Sequence, residues 1–160
     1  MRSFQVFASM SPERATEVMG TLKEAAPGMF AQALAAAAAA FKARPVYIAR
    51  QPLEKQAASI RSALARVTAN LVAEELLAVY FLECKKELLV EWLDSLGIEH
   101  EDGTLEEDAP PAPPKAKLVK AAEAFRKKDD GADRELLLAA FAAQSAIDWP
   151  DLEALVGDGA

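Results

Sequence analysis

Between Pro52 and Leu96 the chain carries neither proline nor glycine, and within that run Leu71–Leu96 reads LVAEELLAVYFLECKKELLVEWLDSL. Its centre, Leu76 to Leu82, is seven residues without a charge, bounded by Glu75 and Glu83. A helix apolar all round has to be covered on every side by other elements. One straight helix from Pro52 to Leu96 would span about 66 Å, whereas a compact chain of this length is roughly 40 Å across. The run is therefore expected to break. Thr68-Ala69-Asn70 is the favoured point, with Asn70 capping a helix whose first turn holds Glu74 and Glu75; Glu83–Lys86 is a second candidate.

Cover for this stretch comes from further helices. Alanine and leucine are abundant, glycine is scarce and β-branched residues are few, a composition that favours helix. Ser11-Pro12-Glu13 is a helix start, and Met19, Leu22 and Ala26 recur on one face before Pro27-Gly28. Met29–Ala43 forms a second helix with Met29, Phe30, Leu34 and Phe41 around six consecutive alanines, read as a packing surface. Arg44-Pro45 stops it, and Val46–Arg50 reads as an extended connector. Phe4, Val6 and Phe7 suit a short strand or an extended anchor. After Pro52, the residues Leu53, Ala57, Ile60, Leu64, Val67 and Leu71 follow the spacing of a coiled-coil seam.

Gly97 and Ile98 end the central stretch as a glycine C-cap. An acidic loop around Asp102-Gly103 and the proline-rich Ala109–Pro114 follow. Three more helices are expected, around Leu118–Phe125, Arg134–Ser145 and Trp149–Val156, with Gly157–Ala160 fraying. The expectation is an all-α protein: one compact domain, residues 1–160, of six or seven helices around a buried central helix, Leu71–Leu96. An acidic, proline-rich crossover at about 99–115 joins its N-terminal and C-terminal helical parts. Composition and helix starts resemble those of small bacterial helical proteins, and no motif leads to a named family.

Charge and motif content narrow the function. The net charge of −7 disfavours nucleic acid, and no apolar run approaches the 20 or so residues of a membrane span. No signal peptide is expected in MRSFQVFASM, and the single Cys84 fits a reducing, cytoplasmic setting. His100, with Glu99, Glu101, Asp102, Glu106, Glu107 and Asp108, forms a cluster to be weighed for a hard cation. An EF-hand alignment through Gly103 puts Ile98 and Ala109 where ligands are needed. One His and one Cys do not make a zinc site, and phosphate loops and nucleophile elbows are absent. The chain is thus read as non-catalytic, without cofactor or metal.

The leading function is a protein–protein interaction, assembly or regulatory module. Its partner is another protein or itself, as a homodimer through residues 53–71, and the candidate face is Arg44, Arg50, Ile60, Arg61, Leu64 and Arg66. Two alternatives are a bundle holding a small apolar ligand among Phe30, Tyr80, Phe81, Trp92 and Phe141, and a metal-dependent protein using the His100 loop. On the interaction reading, His100 is an exposed loop residue of little structural weight.

Overall fold

A computed structural model describes residues 1–157, and its fold is all-α. Ten α-helices occur among the described residues: α1 (Ser3–Ser9), α2 (Pro12–Ala25), α3 (Pro27–Phe41), α4 (Pro45–Ala49), α5 (Leu53–Leu64), α6 (Asn70–Val79), α7 (Lys86–Leu96), α8 (Lys115–Arg126), α9 (Gly131–Ala143) and α10 (Pro150–Gly157). The number exceeds six or seven because α1 and α4 are short helices where extended chain was expected, and because the central stretch divides. Beyond Gly157, the fraying expected of the C-terminus lies outside the described residues. The helices fall into two compact units, an N-terminal one of Ser3–Cys84 and a C-terminal one of Lys85 onward with Met1–Arg2.

The Pro- and Gly-free run breaks at both candidate points. A single 3-10 turn, Val67–Ala69, separates α5 from α6, and a wide π turn, Tyr80–Cys84, closes α6. Leu76, Leu77, Tyr80 and Phe81 are all buried, two pairs spaced four residues apart on one side of the helix. Lys85 then leaves the helical region (φ −132°, ψ 39°) before α7. Asn70 does not cap its own helix. Its Oδ1 accepts the Phe4 backbone N–H at 3.1 Å, so it caps α1 from a distance in sequence.

In the N-terminal unit, α5 is the hub and packs against α1, α2, α3, α4 and α6. Ala57, Ile60, Ala63 and Leu64 are buried along it. Gly20 lets α2 come close, since a Cβ there would stand 3.2 Å from Leu53 Cδ2. Ala33, Ala37 and Ala38 give α3 the same closeness. Ser11 caps α2 as expected, its Oγ accepting from Arg14 N.

The C-terminal unit packs α7 with α8 and α9, and α10 with α8 and α9. Gly97 (φ 70°) caps α7 and Ile98 N–H bonds back to Leu93 O at 3.1 Å. Asp102 and Gly103, both at positive φ, turn a two-residue hairpin between His100–Glu101 and Thr104–Leu105. The Trp149 indole N–H donates to Pro110 O at 3.0 Å and ties down the proline segment. Arg134 is buried, and its guanidinium meets Glu91 and lies 4.6 Å from the Phe125 ring centre.

Glu91 also pairs with Lys128, whose hydrogen bond is the main cause holding the Glu91 carboxyl below its ordinary value of 4.5; burial opposes this and Arg134 adds to it. A depressed carboxylate stabilises the fold above its unfolded pKa and loses that contribution as pH falls. Wild type should therefore lose stability as pH drops below about 4.5, through protonation of Glu91. Glu91→Gln should be destabilised by ~1–3 kcal/mol at neutral pH and show a smaller loss on acidification. Urea titrations at neutral and acid pH check both. In the other unit, Phe81→Ala should cost ~3–5 kcal/mol; a loss under ~1 kcal/mol in chemical denaturation would contradict this packing.

Candidate interaction face

Six of the chain's 18 cations but one of its 25 acids lie between Glu24 and Glu74: Lys42, Arg44, Arg50, Lys55, Arg61 and Arg66, with Glu54. That stretch has net charge +5 against −12 for the rest. Among the described residues none of the six pairs with a carboxylate. Arg61 donates to the Met10 and Ala8 carbonyls at the end of α1, and Arg66 to the Ala40 carbonyl at 3.2 Å. Among the described residues of their own unit, these cations form no ion pair with the acids of α6 and the π turn.

The same region holds the exposed apolar surface. The large apolar side chains that stand exposed among the described residues are Phe41, Val46, Tyr47, Val67 and Leu71, with Tyr47 64% and Leu71 80% accessible. The local cause lies in α4. Pro45 starts this five-residue helix and Arg44 and Arg50 flank it. Only Ile48 of residues 41–50 is buried, so the segment hangs on one anchor. A second hold comes from Gln56 on α5, itself buried, whose Nε2 donates to Ile48 O at 3.3 Å and Ala49 O at 2.9 Å. Arg66 links α4's neighbourhood to the α5–α6 corner, its guanidinium standing 4.9 Å from the Phe41 ring centre beside Val67.

Of the six residues expected to form the face, Arg44, Arg50 and Arg66 are exposed and belong to this surface. Ile60 and Leu64 do not, because both are fully buried in contact with the unit's own helices. Arg61 is half-buried and held at the end of α1. Within residues 53–71 the seam is thus split: Ala57, Ile60 and Leu64 turn inward, while Val67 and Leu71, beyond the end of α5, turn outward. Phe41, Val46 and Tyr47 went unrecognised as surface residues; the signal was their place beside Arg44 and Arg50, around a proline that ends one helix and starts another.

The other candidates sit elsewhere. His100 is half-buried, with Nε2 2.7 Å from Asp94 Oδ1 and Nδ1 accepting from Gly103 N–H at 3.1 Å. It staples the hairpin to α7, so the expectation of an exposed residue is corrected. Both ring nitrogens are engaged, and no three His, Cys, Asp or Glu among the described residues gather as a metal-binding group. Cys84 ends the π turn of one unit and His100 lies in the other. The aromatic set is divided too. Phe30, Tyr80 and Phe81 are core residues of the N-terminal unit, while Trp92 packs tilted against Phe125 and edge-on to Phe141 in the C-terminal one. A cavity of about 470 Å³ in that unit is lined instead by Ile98, Leu105, Pro110, Pro113 and Lys117. No described helix is long and apolar enough to cross a membrane.

A second basic segment, Lys115–Lys128, also escaped the sequence reading. It differs from the first in being partly compensated, with Arg126 on Glu135 at 2.8 Å and Lys128 on Glu91.

No protein-family model, curated protein or solved structure matches the chain.

Gln56→Ala should detach α4 without unfolding the unit, because it removes two hydrogen bonds worth about 1 kcal/mol each. Amide exchange at residues 46–51 should rise while that of α2 and α5 stays slow. Unchanged protection across 46–51 would show that Ile48 alone holds the segment.

Proposed function

We propose that this chain is a non-catalytic helical interaction module that docks another protein through the face formed by α4, the end of α3 and the α5–α6 corner. One observation carries the reading: the exposed large apolar side chains and the unpaired arginines lie in the same 31 residues, 41 to 71. Tyrosine and arginine dominate the energetics of protein interfaces, because each offers broad contact with a polar tip. Exposed apolar side chains gathered in one place, unlike scattered ones, mark binding surfaces. Arg44 and Arg50 beside Tyr47 have that composition, and their helix is held to the unit by Ile48 and Gln56.

A photo-cross-linking side chain placed at position 47, with Ala132 on α9 as the exposed control, tests the proposal in the cells the chain comes from. A discrete adduct at 47 and none at 132 is the expected result. Light scattering of the purified chain then shows whether the adduct is a second copy. No adduct at 47, or the same adducts at both positions, would refute the reading.

A further inference from the structure

The charge of this face also selects its occupant. We infer that the face receives an acidic amphipathic segment of a different protein, with apolar anchors for Tyr47, Val46 and Phe41 and carboxylates for Arg44, Arg50 and Arg66; this rests on the interaction reading above. Three observations lead there.

The arginines have no carboxylate partner among the described residues, so a docked acid neutralises them without breaking an existing pair. A symmetric dimer through this face would set the basic patch of Arg44, Arg50 and Arg66 against the same patch of the second copy, and like charges across an interface are repelled. The acidic loop of a second copy, residues 99–108, has charge but no large exposed apolar side chain to cover Tyr47, since Leu105 is half-buried.

Nucleic acid fits less well. A duplex or single strand would meet, beyond the patch, a net charge of −12 on the rest of the chain. A membrane surface fits less well too, because α4 has five residues and no long apolar stripe to lay on lipid.

The test uses the full chain and synthetic peptides of about 16 residues. One has Leu and Phe at helical spacing with Glu and Asp elsewhere; a second keeps the anchors but replaces the acids with Lys; a third keeps the acids but replaces the anchors with Gln. A DNA oligonucleotide and phosphatidylglycerol vesicles complete the set.

The first peptide should bind at least about tenfold more tightly than the second and third, weaken in high salt, and shift amide resonances in 41–50 and 66–71. R44E/R50E should weaken it at least about tenfold, and Tyr47→Ser should weaken it without changing its salt dependence, while K115E/K120E on α8 should not affect it. All of these positions are exposed, so amide spectra of the free variants should keep the wild-type dispersion.

Equal binding of acidic and basic peptides, shifts confined to α8, or tighter binding of DNA or vesicles at this face would overturn the assignment. A position-47 adduct with no preference for the acidic peptide would leave the interaction reading standing and remove this one.

Discussion

The N-terminal unit depends on one stripe of α5. Ala57, Ile60, Ala63 and Leu64 are buried there, and α1, α2, α3, α4 and α6 all meet that helix. Burying an Ile or Leu side chain stabilises by roughly 1.5–3 kcal/mol, so Ile60 and Leu64 are strong individual contributors. The alanines matter for a different reason. They let neighbouring helices approach closely enough that few side chains fill the space between them.

The stripe also explains why large apolar side chains stand exposed between residues 41 and 71. Because Ile60 and Leu64 are spent inward, a seam through them is not offered to a partner. The helix ends at Leu64, and the following turn re-aims the chain, so Val67 and Leu71 lose the cover that an unbroken helix would have given them. At the other end of the connection, Pro45 and Pro52 leave room for only five helical residues, enough to bury Ile48 and not its neighbours. Exposure of Tyr47 thus follows from the same backbone geometry that positions α5.

In the C-terminal unit, polar groups take part of the role that apolar contact has in the first. Arg134 is buried against Phe125 and answered by Glu91; Trp149 is buried with its N–H on Pro110; His100 fastens the hairpin to α7. A buried guanidinium is tolerable only when its charge is met. Several of the unit's cations are compensated in this way, with Lys85 on Asp133 at 3.3 Å and Arg126 on Glu135 at 2.8 Å. Such pairing is what the cations of residues 42–66 lack.

Local chemistry determined much of this protein from sequence alone. The helical class, the Ser11 and Gly97 caps and the Asp102-Gly103 turn follow from propensities and from residues that only certain backbone angles accept, and the breaks near residue 69 and residue 85 from the length of the run against the size of a compact chain. Periodicity also marked Ala57, Ile60 and Leu64 as one face. It could not say whether that face meets the chain's own helices or another molecule, because spacing is the same in both cases. That was decided by how α1, α2 and α3 close over α5. Likewise Asn70 reads as a cap, but which helix it caps depends on α1 arriving beside it, and Tyr47 reads as part of an extended connector, whereas a short helix anchored by Ile48 holds it outward. Sequence sets what each residue prefers nearby; packing between distant segments decides which preferences are met inside the fold and which are left facing outward.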